Sequence, residues 1–175
     1  SIILPGLVNA HAHLELSGFC QASEPKSFAD WLLSLVPRST LTAADIQGVV
    51  ERGIPAGVEQ CLRFGVTSVG DISKQCMFSR PLLRDGPLRV VSYGEVQAMA
   101  QRRGLLDERF AAATDLSNES QWIRVGVSPH APYTVEPEGY KKCLDFARRE
   151  NRPIATHLAE SPDEAEFLEQ GTGPF

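Results

Sequence analysis

Short apolar stretches alternate with longer amphipathic stretches along this chain, and that alternation restricts the fold more than any other feature. The apolar stretches are rich in β-branched residues and are bounded by glycine or proline, which is typical of β-strands. They cover residues 4–10, 65–71, 88–95, 122–127 and 153–157. Strands that alternate with helices form a parallel sheet through right-handed crossovers. The pattern therefore predicts an α/β fold.

The helical stretches are marked by capping residues and by apolar residues at helical spacing. A first helix is predicted over residues 27–36, with Ser27 as its N-cap. Thr42 and Asp45 resemble a capping box at the start of a second helix that runs to residue 64. Pro55 falls inside that helix, and we expect it to kink the helix or split it in two. Further helices are predicted over residues 107–116, over residues 136–151 and from Ser161 onward.

Polar side chains stand at the carboxyl ends of the predicted strands. They are His11, His13, Asp71, Glu95, His130 and His157. The carboxyl ends of the strands form the active-site face of a TIM barrel, so this clustering favours that fold. A doubly wound sheet is the alternative, but no Gly-x-Gly-x-x-Gly follows the first strand. We predict a TIM (β/α)₈ barrel of which this chain holds about the first five βα units.

The first strand ends in two histidines one residue apart, His11 and His13. Side chains at positions i and i+2 of a strand point to the same side, so both imidazoles would share one face. Two converging neutral imidazoles can bind a divalent transition metal, with Zn²⁺ preferred here and Fe²⁺ as the alternative. Two unrelated polar residues at a strand end would give the same spacing.

The remaining strand-end residues have both functional and structural interpretations. Asp71 is expected to hydrogen-bond a loop, and Glu95 either binds a substrate amine or hydroxyl or pairs with an arginine. His130 lies between Pro129 and Pro132, which fix the backbone on both sides and suit a histidine that orients a substrate. The tryptophan of the first helix, Trp31, is expected to anchor the core, since large aromatic side chains mostly serve packing.

Length and charge exclude several classes of protein. The chain has 175 residues, whereas a complete barrel needs about 250, so we expect residues 1–175 to be one domain and a fragment of a longer chain. A net charge of −5 without a basic run gives no support for nucleic-acid binding. No apolar stretch is long enough to span a membrane, and no signal peptide is visible. The four dispersed cysteines are typical of reduced thiols in a cytoplasmic protein.

Three motifs resemble those of one known family. The run PGLVNAHAHLELS from Pro5 to Ser17 is similar to the first-strand signature of the amidohydrolase superfamily, in its branch of cytosolic deaminases and chlorohydrolases. The PHAPY run around His130 and the His-x-x-Glu spacing of His157 and Glu160 match the same branch. Ala12 replaces the usual threonine. In this branch the segment after the first strand forms part of the substrate mouth and has a tryptophan in a similar place, so the resemblance implies a role at the mouth as the alternative to packing for Trp31. Within the branch, the aminodeoxyfutalosine deaminase-like proteins look most similar.

The resemblance implies a role for each site residue. His11, His13 and His157 would bind one catalytic metal, Glu160 would carry protons, and His130 would contact the substrate, while Glu95 keeps the two interpretations that its place at a strand end allows. The family pattern also needs a histidine at strand six and an aspartate at strand eight, both beyond residue 175, and a β-sandwich domain. This chain alone is therefore expected to be inactive, and its full-length parent active.

The expected function is that of a metal-dependent aminohydrolase. Metal-activated water would attack a ring carbon of a nucleoside-like or other heterocyclic small molecule, and ammonia would leave. Hydrolysis of a C–Cl bond or a cyclic C–N bond uses the same framework and stays open. A catalytically inactive barrel that serves as a binding or interface module is a further alternative. A homo-oligomer is not excluded.

Overall fold

One parallel sheet organises the part of the chain that the computed structural model describes, which is residues 2–18, 27–34 and 41–174. Its strands lie in the order β1-β2-β3-β4. They are β1 (Leu7–Ala12), β2 (Val66–Ser73), β3 (Arg89–Val96) and β4 (Ile123–Pro129). Spatial order follows sequence order, and each crossover contains at least one helix, as at the start of a (β/α)₈ barrel. The predicted α/β fold with a partial barrel is confirmed.

Six α-helices accompany these strands within the described ranges. They are α1 (Phe28–Ser34), α2 (Ala43–Arg63), α3 (Cys76–Leu83), α4 (Leu106–Thr114), α5 (Pro137–Arg149) and α6 (Pro162–Gln170). Short 3₁₀ turns occupy residues 14–16 and 100–105. Helix α3 was not predicted, because its eight residues include Pro81 and are too few to establish a period. The predicted end of the first helix, at residues 35–36, lies outside the described residues.

Helix α2 begins as predicted but is not split. The Thr42 hydroxyl accepts a hydrogen bond from the Asp45 amide at 3.2 Å, and the Asp45 carboxylate accepts one from the Thr42 amide at 2.9 Å, so the capping box is confirmed. One helix continues through Pro55, so the predicted alternative of a split helix is wrong, and the alternative of a kink stays a prediction. Pro55 lies on the exposed side, where solvent can satisfy the carbonyl group that loses its amide partner. Gly65 ends the helix with a φ of +76°, as expected for a C′ residue.

The fifth predicted strand, at residues 153–157, is not a strand of the sheet. The segment runs parallel to β4 and forms one isolated bridge, between Val127 and Ile154. Val127 donates its amide to Pro153 O at 3.1 Å and accepts from the Ala155 amide at 3.2 Å. Pro153 has no N–H to extend this ladder, and the Thr156 hydroxyl takes up Pro129 O at 2.6 Å. The segment still delivers His157 to the end of β4.

Two apolar clusters fill the space between the sheet and its helices. The first joins α2 and α3 to the sheet through Val50, Ile54, Cys61, Val69, Leu83, Leu88, Val90 and Ile123, and it includes Leu14 of the turn after β1. The second joins α4 and α5 to β3 and β4 through Val96, Ala113, Val127, Cys143, Phe146 and Ala147. The helices therefore cover one face of the sheet, and the strand ends stay free to carry polar groups.

Two glycines of α2 let the turn after β1 lie directly on the helix. A Cβ atom at Gly53 would collide with the carbonyl oxygen of Glu15, and one at Gly57 would lie 2.6 Å from Ser17 Oγ. Backbone can approach a helix this closely only where side chains are absent. The turn that carries His13 is thereby fixed against α2.

The described helices include none that is long and apolar enough to cross a membrane. Cys61, Cys76 and Cys143 are buried free thiols, in agreement with the expectation of reduced cysteines. Cys20 lies outside the described residues.

Candidate active site

Three histidines from distant parts of the chain converge at the carboxyl end of the sheet. His11 lies in β1, His13 is the first residue after that strand, and His157 is the last residue of the segment 153–157 that runs beside β4. His13 Nε2 lies 3.3 Å from His157 Nε2, and the ring centroids of His11 and His157 lie 4.9 Å apart. One ring nitrogen from each histidine falls within 4.8 Å of the others. The structure therefore brings together the three predicted metal ligands.

A hydrogen bond on the far side of the His157 ring sets which of its nitrogens faces the other two histidines. His157 Nδ1 lies 3.1 Å from the carbonyl oxygen of His130, which can only accept, so Nδ1 carries the proton and Nε2 is free. A backbone hydrogen bond at Ile72 partly offsets the lowering of the pKa of His13. Partners of this kind orient the imidazole ligands of metal sites. The free Nε2 of His157 lies 3.3 Å from His13 Nε2, so both atoms face the same point.

Burial and repulsion between neighbouring rings favour the neutral imidazoles of His13 and His11. Burial, with the neighbouring His157 and His11, lowers the pKa of His13 to about 4. The pKa of the more open His11 is also lowered, chiefly by burial. Metals bind the neutral imidazole, so neither of these two rings needs to lose a proton near pH 7. The donor set, its convergence and its charge state together fit a divalent metal ion.

A second pair, Glu95 and His130, lies beside the three histidines. Glu95 Oε1 is 3.5 Å from His130 Nε2 and 3.9 Å from His157 Nδ1, and among the described residues it has no hydrogen-bond partner. The Glu95 side chain is buried, which raises the pKa of its carboxyl to about 8. Its neighbours are imidazoles, so the alternative of an arginine partner is wrong within the described part of the chain. Glu95, His130 and His157 also form a second group that could hold a metal.

Thr134 fixes the orientation of the His130 ring. The hydroxyl of Thr134 donates to Ala131 O at 3.2 Å and lies 2.7 Å from His130 Nδ1, so it accepts from that nitrogen. His130 Nε2 is then unprotonated and points toward Glu95. Burial, together with His157 and His13, lowers the pKa of His130 to about 3. A neutral imidazole opposite a carboxyl group with a raised pKa can accept a proton or a hydrogen bond.

Glu160 lies at the edge of this cluster, with an exposed side chain. Its Oε2 accepts a hydrogen bond from the Tyr133 hydroxyl at 3.0 Å. Its charge acts on His11, where it partly offsets the lowering of the pKa. Ser161 caps α6 with its hydroxyl, and Pro162 is the first helical residue, as predicted. The proton-carrying role predicted for Glu160 stays a prediction.

Two buried carboxylates tie the turn after β1 to the end of β2. Asp71 accepts a hydrogen bond from the Leu14 amide at 3.0 Å, so its predicted loop-binding role is confirmed, and burial raises its pKa to about 7. Glu15, only 5% exposed, accepts from the Ser73 hydroxyl at 2.5 Å and from the amides of Lys74 and Gln75 at 3.1 Å. Glu15 was not predicted as part of the site.

Trp31 remains open between its two interpretations. It is half-buried and stacks on Phe28 with ring centroids 5.7 Å apart. This contact fits a packing role, and a role at the substrate mouth stays a prediction.

Residues 2–173 match the model of the amidohydrolase family. The chain belongs to the amidohydrolase family. This assignment covers nearly the whole chain and agrees with the resemblance of its strand-end motifs.

This amidohydrolase chain is similar to curated deaminases along its full length. It is 32% identical to aminodeoxyfutalosine deaminase of Deinococcus radiodurans, over all of this chain and 41% of the relative. It is 28% identical to adenosine deaminase of Helicobacter pylori, over all of this chain and 42% of the relative. The chain therefore spans about two fifths of the length of these relatives.

Solved structures give the same picture of the fold. Helicobacter pylori aminofutalosine deaminase in complex with methylthio-coformycin superposes with a TM-score of 0.80 at 28% identity, over 97% of this amidohydrolase chain and 40% of the other. Atrazine chlorohydrolase of Arthrobacter aurescens complexed with zinc gives a TM-score of 0.74 at 18% identity, over 98% and 44%. The second comparison shows the fold alone.

Proposed function

We propose that the full-length protein is a metal-dependent aminohydrolase that deaminates an adenosine-like nucleoside or a related heterocycle. The observation that carries this proposal is the convergence of His11, His13 and His157, with Glu160 and His130 beside them. The curated relatives named above, which are deaminases by name, support the choice of reaction. Residues 1–175 would be the amino-terminal part of the catalytic barrel, because the relatives are more than twice as long.

The proposed metal is one zinc ion, with iron as the alternative, held by the three histidines. When bound, such an ion makes a water molecule acidic enough to ionise near neutral pH. A histidine and an aspartate outside residues 1–175 would complete its ligands. Zinc is supported by the imidazole donor set, which also suits iron.

The chain's own residues would bind the substrate and move the protons. Glu160 would take the proton of the attacking water on a carboxylate oxygen and pass it to the departing amino nitrogen, so that ammonia leaves. His130 would hydrogen-bond the heterocycle through Nε2, the nitrogen left free by Thr134. The buried Glu95 would bind a substrate amine or hydroxyl, since a protonated carboxyl group can both donate and accept.

The partner proposed here is a small-molecule substrate and no nucleic acid. A cytoplasmic location and a homo-oligomeric state stay predictions. A catalytically inactive barrel is the outcome to expect if the metal is present and no substrate reacts.

The deciding experiment measures ammonia release by the metal-loaded full-length protein. The panel contains adenosine, 5-methylthioadenosine, 5′-deoxyadenosine and aminodeoxyfutalosine, with a chlorinated triazine and a cyclic amide as competing substrate classes. We expect one or more nucleosides to release ammonia. Glu160→Gln preserves the size of the side chain and removes its titrating proton, so turnover should fall by about 10²–10⁴-fold with unchanged metal content.

Two results would contradict parts of this proposal. Turnover of only the chlorinated or cyclic compound would replace the deaminase assignment while leaving the fold and the metal untouched. Normal turnover by Glu160→Gln would reduce Glu160 to an acidic residue placed favourably at the start of α6.

A further inference from the structure

We propose that Tyr133 is a positioning residue, which holds the Glu160 carboxylate in place beside the histidine cluster. The inference rests on the proposed function, because it names the residue on which the proton carrier depends. Its basis is the hydrogen bond from the Tyr133 hydroxyl to Glu160 Oε2, at 3.0 Å. Tyr133 and Glu160 lie 27 residues apart on two different loops at the carboxyl end of the sheet.

The Tyr133 side of this contact is fixed by the loop after β4. The amides of Thr134 and Val135 both donate to Ala131 O, at 3.0 and 3.1 Å, and form a tight turn around Tyr133. The Tyr133 ring meets the His130 ring edge to face, with centroids 6.0 Å apart. The hydroxyl group is therefore held at a set distance from the histidine that would bind substrate.

The backbone of Glu160 is fixed separately by the start of α6. The Glu160 amide donates to Glu164 Oε2 at 2.7 Å, and the Glu164 amide donates to Ser161 Oγ at 3.2 Å. Glu164 is fully buried, so this anchor is shielded from water. Ala159 turns the chain with a φ of +59°, a conformation that L-residues adopt only when their surroundings impose it.

With the backbone anchored, the side-chain torsions are the remaining freedom of Glu160. An exposed glutamate samples several rotamers, and a hydrogen bond from Tyr133 selects those that keep Oε2 at the hydroxyl. Oε1 is then the oxygen left to exchange a proton. Orienting a reacting group in advance raises the rate without changing ground-state affinity.

The test is a double-mutant cycle in the metal-loaded full-length protein, with Tyr133→Phe, Glu160→Gln and the double variant. Tyr133→Phe keeps the ring against His130 and removes one charge-assisted hydrogen bond, so kcat should fall about 10-fold. KM and metal content should not change. In the Glu160→Gln background Tyr133→Phe should cost nothing further, since no proton carrier remains to be positioned.

Tyr140→Phe is the matched control. The Tyr140 hydroxyl forms a hydrogen bond with Thr156 Oγ1 at 3.1 Å, and Tyr140 is half-buried like Tyr133. The control therefore removes a similar hydroxyl that does not touch Glu160. Its kcat should equal that of the unaltered protein. An equal loss from Tyr133→Phe in both backgrounds would show that Tyr133 acts independently of Glu160, and the inference would fall.

A second cycle separates this inference from the reaction assignment. Denaturant midpoints are measured for Tyr133→Phe, Glu160→Ala and the double variant. The sum of the midpoint shifts of the two single variants should exceed the midpoint shift of the double variant. Such coupling in a protein that releases no ammonia would retain the positioning role and refute the deaminase proposal. Additive shifts in an inactive protein would overturn the inference itself.

Discussion

At the scale of single residues, His157 and His130 share a contact but have separable roles. The imidazole of His157 would bind the metal, and its Nδ1 donates to the backbone carbonyl of His130 at 3.1 Å. That carbonyl group belongs to the backbone, so it remains after any substitution of the His130 side chain. Loss of the His130 ring should therefore leave the orientation of His157 intact.

We expect His157→Ala and His130→Ala to differ in metal content. His157→Ala should lose metal and activity together. His130→Ala should retain metal and raise KM by about 10–100-fold, the cost of one hydrogen bond to substrate. Elemental analysis of both variants, together with their steady-state kinetics, gives the result. Metal loss from His130→Ala would instead favour the second donor group, in which His130, Glu95 and His157 hold the ion.

The grouping of the site residues could be predicted from the sequence where it depended on their position at the end of a predicted strand. His11, His13, His130 and His157 were grouped correctly because carboxyl ends of parallel strands meet at one edge. Glu15 and Tyr133 were missed, because their partners lie 58 and 27 residues away and no local pattern marks such pairs. The sequence did not decide between the two predicted kinds of partner for Glu95 for the same reason.

At the scale of elements, the turn after β1 depends on buried carboxylates for its attachment to β2. Glu15→Ala would leave the Ser73 hydroxyl and the amides of Lys74 and Gln75 without their acceptor in a buried place. Each such loss costs about 1–3 kcal/mol, so the free energy of unfolding should fall by about 3 kcal/mol or more. Chemical denaturation measures it. Glu59→Ala, on the exposed side of α2, is the control and should change stability by no more than about 0.5 kcal/mol.

Most helices were predicted from their caps or their apolar spacing, whereas one short helix and one edge segment were not. Helices α2 and α5 agree with the prediction to within about two residues, the usual uncertainty of helix ends. The segment 153–157 has the composition of a strand, but pairing depends on N–H groups that Pro153 lacks. Helix α3 is stabilised by burial against its neighbours, which the local sequence does not reveal.

At the scale of the whole molecule, the chain contributes three of the proposed metal ligands and two fifths of the length of its relatives. We expect the 175-residue chain to bind zinc at least about 10-fold more weakly than the full-length protein, since even outer contacts of a metal site carry that much affinity. Chelator competition on both proteins, purified alike and checked for folding by circular dichroism, decides this. Equal affinity would mean that the remaining ligands were assigned wrongly.

The contact between His13 and His157 joins residues 144 positions apart, and this separation has a consequence for folding. His11 and His13 are neighbours in any extended conformation of the chain, but His157 meets them only when β1 to β4 have assembled in order. Closing so long a loop in one step is entropically costly, and the ordered strands between the two histidines divide that cost into shorter closures. A metal ion that binds through His157 therefore stabilises only the native arrangement of the strands. A chain with formed helices and an unformed sheet offers the ion only two imidazoles.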